Sequence, residues 1–490
     1  MRLRLPGYFY MSARANARLL GRVRSIPVVL GCLACIAASP ALAQFTPKLV
    51  GSISVDLPAG SLAGNLCISD IPLRGDTVWL VLNRAHSIKR ISGVAGPARI
   101  VELEPGGTGV RYAFLKEDQT GDLPSSTTAL VCVEYGGSFP TYDVDTGDFR
   151  DDDGSHLVAF NGRAIRARGI SRWHPTTYDP GTGLAAEAVR FDVEVECREC
   201  VAIHVNGSPT VPGPIARFAS MTPRELLLIA GDLSVQEHAG VTFVGEALEM
   251  GASDELVGAI VQTIGILEEY TSVPYGPPPN VVRIAPLRAP VRGQLWGFYS
   301  DPSFALIGMS VAELDSVLAN SEGRGRRSVL GFLGHELAHR YFGFAIGAGS
   351  AQRDLFGEPF ATFLELKVVR RLFGEGEYNA SVDRLRRQAV SRGPTVPLAH
   401  AIGNDFAEST YRYGFAPAAL LSLEAAIGEE VMRATITSML TAPESERFMA
   451  DLGFIVDHAA RVGANPAILA DWMRGCAEAD AIATCLPATP

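Results

Sequence analysis

The chain has 490 residues, 47% of them hydrophobic and 20% charged, with a formal net charge of −10. This is the composition of a globular chain with room for two or three domains. Its acidic surplus is a poor match to a polyanion and argues against nucleic acid as a partner.

The first 24 residues hold six arginines and no acid, and an uncharged apolar run extends from Ile26 to Ala43. Ala41-Leu42-Ala43 then forms an A-x-A cleavage pattern ahead of Gln44. The sequence predicts a signal peptide over 1–43, with Met11 as an alternative start, and so an exported chain, periplasmic or extracellular. Pro27, Pro40 and the small residues of the run argue against a membrane anchor, and almost no apolar run precedes Cys32 to support a lipoprotein site. No later stretch is long and apolar enough for stable membrane insertion. Cleavage leaves 37 basic against 53 acidic residues, a balance of −16. It also leaves Cys67, Cys132, Cys197, Cys200, Cys476 and Cys485, an even set that predicts disulfides in an exported chain. Cys197-Arg198-Glu199-Cys200 lacks the second pair of a zinc knuckle, which leaves a short-loop disulfide or free thiols. Cys476 and Cys485 are spaced to staple a C-terminal tail over 476–490.

Residues 44–232 read as a β-rich domain, a sandwich or a saddle-shaped sheet. Short alternating runs such as Thr77–Leu82 and Val189–Val195 are divided by turn residues, with Asn161-Gly162 and Asn206-Gly207 as hairpin turns. Asp143, Asp145, Asp148, Asp151, Asp152 and Asp153 cluster without the register of a calcium loop, so a solvated loop is expected.

From about 233 the period changes. Residues 246–271 predict a helix with Leu248, Leu256, Ile260, Ile264 and Leu267 on one stripe. Val281–Ala285 and Phe304–Met309 read as strands. Then comes His335-Glu336-Leu337-Ala338-His339 in an apolar helix. Histidines at i and i+4 share a face, from which two imidazoles reach one Zn²⁺ at about 2.0–2.1 Å. Glu336 lies about 100° around the helix, able to border the site without binding the metal. Eighteen residues separate His339 from Glu358, a natural third ligand that leaves a fourth position for water. Glu365, two turns further on, is able to accept a ligand histidine's outer N–H. Pro359 belongs only in a first helical turn, so a helix is expected to begin within a few residues of Glu358.

H-E-x-x-H, eighteen residues, then Glu resembles the gluzincin metallopeptidases of the aminopeptidase N type. HELAHRYFG is similar to that family's HE-x-x-H-x-W-F-G segment, and GEPFATFLE to its N-E-G-F-A-x-x-x-E segment. The resemblance covers roughly 240–420 well and implies His335, His339 and Glu358 as ligands of one catalytic zinc, Glu336 as general base and Glu365 behind the ligands. It implies an α+β multidomain fold, with the β-rich domain followed by a thermolysin-like, mostly helical catalytic domain over 233–475. A strand before the zinc helix is expected to pair with extended substrate. Trp173-His174-Pro175 is loosely similar to a W-x-P segment of the family's N-terminal domains.

Tyr411-Arg412-Tyr413-Gly414 is similar to the family's Y-E-K-G segment, and spacing to Gly414 makes Tyr411 the expected oxyanion donor, with Tyr413 in the place of the lysine. The amine-binding G-x-M-E-N segment has no counterpart. The comparable stretch, RGQLWGFY, has no acid and offers Trp296, Phe298 and Tyr299 as substrate-binding side chains. The expected function is an exported zinc peptidase acting on peptides or proteins, exo- or endopeptidase undecided. A catalytically silent relative that binds peptides or a protein partner through the cleft is the alternative, and a zinc hydrolase of other substrates a further one.

Overall fold

The structure, a computed structural model, describes residues 46–478 except 73–75, 104–108, 117–127, 142–157, 182, 246–253, 284–294, 308, 310, 321–322, 344–345, 348–349, 393–395 and 403–408. The expected signal peptide, the aspartate cluster, Leu248 and Cys485 lie outside the described residues.

Strand Ala188–Arg198 shows why the first half is a sheet protein. Val189, Phe191, Val193, Val195 and Cys197 are buried while the residues between them are not, the period of a half-covered strand. It pairs in parallel with Lys48–Asp56, which runs antiparallel to Ser61–Pro72. These belong to a six-stranded sheet. A five-stranded sheet containing Thr77–Asn83 and Gly109–Lys116 adds Val78, Leu80, Leu82, Tyr112 and Phe114 to the same apolar core. Two sheets around one core make a sandwich. Cys67 and Cys132 are directly opposed on paired strands and disulfide-bonded, and Cys197–Cys200 closes the C-x-x-C as a disulfide. Both expected hairpin turns form, with Gly162 at φ +79° and Gly207 at φ +81°, values a side chain would strain.

A third sheet joins the halves. Its strands Ala164–Ala167, Ala202–Val205 and Leu228–Gly231 are buried along their whole length. One face, with Ile165, Ala167, Ile203 and Val205, enters the sandwich core. The other, with Ala164, Ala202 and Ile229, packs on Val244, Val282, Phe298 and Ala305 of a fourth sheet. Covered on both faces, such strands lose polar alternation.

The fourth sheet runs in the order Ser234–His238, Val241–Gly245, Asn280–Arg283, Ser303–Ile307, Trp296–Ser300. Its second face, with Phe243, Val281, Tyr299 and Phe304, lies in the helical core. Ser303–Ile307 is paired on both sides, so it has no edge for a substrate strand; among the described residues the outer strand beside it is Trp296–Ser300. The turn at Asp301-Pro302 ties the halves together. The Asp301 carboxylate pairs with Arg224 from the β half and Arg340 from the helical half, and Asn206 Nδ2 donates to Asp301 O at 2.7 Å.

Helix α1 (Asp254–Thr271) buries the predicted Leu256, Ile260, Ile264 and Leu267. It is followed by α2 (Val311–Ala319), α3 (Arg324–Ala338) and α4 (Glu358–Arg392), the last broken at Gly374. A π-helical turn, Tyr411–Phe415, leads into α5 (Ala416–Ile427). α4 starts at Glu358, with Pro359 in its first turn, where a missing N–H costs nothing. α3 and α4 approach closely because α3 carries Gly331 and Gly334. A Cβ on Gly334 would lie 3.0 Å from Val368 Cβ, and one on Gly331 would lie 3.3 Å from Glu365 Oε1. Among the described residues no helix is long and apolar enough to cross a membrane.

Candidate metal centre

His335 lies in the last turn of α3 and His339 caps that helix, so their rings stand one turn apart, 5.0 Å between centroids. Glu358, first residue of α4, meets both: its Oε2 is 2.8 Å from His335 Nε2 and 3.5 Å from His339 Nε2. One atom from each residue lies within 4.8 Å of the others. The outer nitrogens are engaged elsewhere. His339 Nδ1 donates to Phe342 O at 3.1 Å, and His335 Nδ1 lies 3.5 Å from both Glu365 Oε2 and Thr362 Oγ1. With the proton held on Nδ1, each Nε2 turns a lone pair toward a carboxylate oxygen. Two lone pairs and a carboxylate repel one another unless a cation or a proton sits between them.

The electrostatics agree. Burial opposes charging His335, but Glu358 and Glu365 outweigh it and raise its pKa well above that of free imidazole. Burial would raise Glu358, but the two histidines hold it well below the carboxylate range. The residues therefore fit a divalent cation of the His₂Glu type, zinc by its ligand chemistry, with Glu365 and Thr362 fixing the His335 tautomer. Glu336 is buried beside them. Burial is the main cause of its raised pKa and Glu358 adds to it, against the lowering pull of His335, His339 and Arg168.

The expected oxyanion donor needs correction. Tyr411 is buried, its hydroxyl donating to Val396 O at 3.1 Å and its ring tilted against Phe415. Tyr413 takes the position at the centre, its ring 6.0 Å from that of His335 and its hydroxyl in hydrogen-bonding reach of Glu358. Burial, then the charges of Glu358 and Glu336, push its pKa well above that of free phenol, so it holds its proton. The cause is the π-turn: an extra residue in the turn shifts which side chains face the metal, and spacing to Gly414 cannot register it.

Two of the expected substrate side chains, Phe298 and Tyr299, are placed elsewhere. Tyr299 points into the helical core, its hydroxyl 3.4 Å from that of Tyr275 and 3.1 Å from Asp301 Oδ1. Phe298 is buried between the third and fourth sheets. Trp296 opens the edge strand, paired with Ile307. Trp173 is structural, its Nε1 donating to Leu226 O at 3.2 Å.

Two arginines went unread in the sequence. Arg412 is half-buried near Tyr413, Glu358 and Asp354, which keep it charged against the opposing effect of burial. Its position between two tyrosines was the available signal. Arg168, from the β-rich half of the chain, is among the charges that lower the pKa of Glu336, and no local pattern marks it.

No family model matches the chain, and no curated protein matches it by sequence. Solved structures do match in fold. Yeast leukotriene A4 hydrolase superposes with a TM-score of 0.65 at 13% identity, over 91% of this chain and 69% of the other. The M1 zinc metallopeptidase from Deinococcus radiodurans superposes at 0.58 and 16% identity, over 91% and 96%. A mutant of that enzyme bound to a Tyr-Ser-Ala substrate gives 0.57 and 16%, over 87% and 93%. At such identities the likeness shows a shared fold: a β-rich N-terminal region followed by a helical C-terminal one.

Proposed function

We propose that the chain is an exported zinc-dependent peptidase, with a β-rich domain over 44–232 and a thermolysin-like catalytic domain over 233–475. The observation that carries this is the convergence of His335 Nε2, His339 Nε2 and Glu358 Oε2, with Glu336 buried beside them. Zinc held by these three residues supplies a Lewis acid that polarises the scissile carbonyl and acidifies water. Glu336, its basicity raised by burial, takes the proton of the attacking water on its carboxylate and passes it to the leaving amine. Tyr413, kept protonated, donates its hydroxyl to the oxygen on which charge develops. Glu365 and Thr362 hold the proton of His335 on Nδ1.

Strand Trp296–Ser300, outermost in its sheet among the described residues, offers an edge to an extended peptide backbone, the mode in which main-chain hydrogen bonds give affinity. It carries no acid to pair with a substrate ammonium. We therefore read the enzyme as one that does not require a free amino terminus. A silent peptide-binding relative would have no use for the buried Glu336, which favours the enzyme.

The test is metal content together with digestion of a peptide library by the purified chain lacking residues 1–43. One zinc per chain and cleavage of peptides are expected. His335→Ala, His339→Ala and Glu358→Ala are each expected to lower zinc occupancy, and absence of zinc after zinc-replete growth would refute the site.

A further inference from the structure

Arg168 is a cation that the β half presents to strand Trp296–Ser300. It leaves strand Ala164–Ala167 and enters the 3-10 turn Gly169–Ser171. Its Cζ stacks 4.0 Å from the centroid of Phe298, in the edge strand Trp296–Ser300. Its Nε donates to Glu225 Oε1 at 3.3 Å, and the same oxygen accepts from Gly169 N at 2.9 Å. The guanidinium plane is thus fixed by a ring on one side and a carboxylate at one edge. Its two Nη groups make no hydrogen bond among the described residues, and neither is a buried orphan; the side chain is 12% exposed. A nearby acid, Glu187, is already taken by Arg353 at 3.1 Å and Arg172 at 3.6 Å.

A guanidinium held flat, with its outer fork accessible, suits a planar carboxylate, which accepts two parallel N–H bonds. The same charge repels an ammonium. Resting on the peptidase reading above, we infer that Arg168 binds a carboxylate of the substrate, so that acidic peptides are the preferred class. The carboxylate comes from an acidic side chain or from the peptide's own C-terminus; both present the same group to the fork.

The experiment uses the zinc-loaded chain without residues 1–43 and peptides blocked at the amino end. Glu is scanned against Gln through an otherwise neutral sequence with an amidated C-terminus, and an all-Gln peptide is offered as amide and as free acid. A Glu peptide cleaved with kcat/KM at least about tenfold above its Gln partner is expected, the scale of a charge-assisted hydrogen bond. Preference for the free acid over its amide supports the inference with the terminus as the source. Either preference should shrink in Arg168→Lys and vanish in Arg168→Gln. Because Arg168→Gln strips Glu225 of its partner, the Arg168→Gln/Glu225→Gln double variant repeats the measurement in a background with no orphaned carboxylate. Equal cleavage of all peptides by the wild type, or a preference that survives both variants, overturns the inference and leaves the peptidase reading intact. Peptide affinities measured on zinc-loaded Glu336→Gln separate the two ideas. No cleavage by the wild type with carboxylate-dependent binding sinks the peptidase reading alone. No cleavage and no carboxylate preference in binding sinks both.

Discussion

Tyr411 and Tyr413 lie two positions apart in the π-helical turn, on opposite sides of it, so at most one of them faces the candidate metal centre. Tyr413 approaches His335 and Glu358, while Tyr411 spends its hydroxyl on Val396 O. Tyr413→Phe is expected to keep its zinc and lose about ten- to a thousandfold in turnover, the range for an oxyanion donor. Tyr411→Phe loses a backbone hydrogen bond, costs about 1 kcal/mol in stability, and leaves turnover close to wild type. Steady-state kinetics beside metal analysis check both; a silent Tyr413→Phe would remove this tyrosine from the chemistry. Glu336→Gln keeps the shape and loses the base, so zinc is retained and turnover falls at least about a hundredfold. Retained turnover in Glu336→Gln would move the base elsewhere.

At the level of elements, the site is a contact between two helices. His335 and His339 end α3 and Glu358 begins α4, so the distances among them depend on how closely the helices pack. Gly331 and Gly334 permit that closeness. Gly334→Leu places a branched side chain where even a Cβ lies 3.0 Å from Val368 Cβ. Overpacking of this kind costs about 1–3 kcal/mol, more than the helix propensity that leucine brings. The expected outcome is a lower melting temperature together with weaker zinc retention against a chelator, because α4 cannot yield without carrying Glu358 away. Loss of stability with unchanged zinc retention would show that the ligands ride on their own turns and not on the helix contact.

Across the whole molecule, the two halves meet through a polar junction laid over the contact of the third and fourth sheets. His204, fully buried, has Nδ1 2.9 Å from Thr210 Oγ1 and Nε2 3.0 Å from Ser303 Oγ of the opposite half. Burial depresses its pKa from 6.5 to about 4. Between those values the unfolded chain binds a proton that the folded chain refuses. The stability contributed by the neutral imidazole is therefore full above pH 6.5 and declines as pH falls toward 4, by up to about 3 kcal/mol. His174, also buried, is lowered to about 4 by the same cause and acts in the same direction. Urea midpoints should fall steadily from pH 7 to pH 4.5. His204→Gln, which cannot take up the proton, should flatten that slope by up to about 1.4 kcal/mol per pH unit. An unchanged slope would mean that His204 titrates normally in the folded chain.

Local chemistry was enough for much of this. Alternation over Thr77–Leu82 and Val189–Val195 specifies strands because a half-covered sheet has period two, and the stripe on α1 specifies a helix face. The spacing of His335, His339 and Glu358 points to the cluster that could hold a metal ion because a helix fixes which residues share a face, and Pro359 dates the start of α4 because proline tolerates only a first turn. Three things depended on tertiary structure. The tyrosine at the centre was set by a π-turn, a change of backbone period that the residue letters do not display. The fates of Phe298 and Tyr299 were set by a sheet covered on both faces, where aromatic residues belong to packing on either side. Arg168 came to Phe298 of the edge strand from about 130 positions earlier in the chain, through a contact between sheets that no window along the sequence can contain.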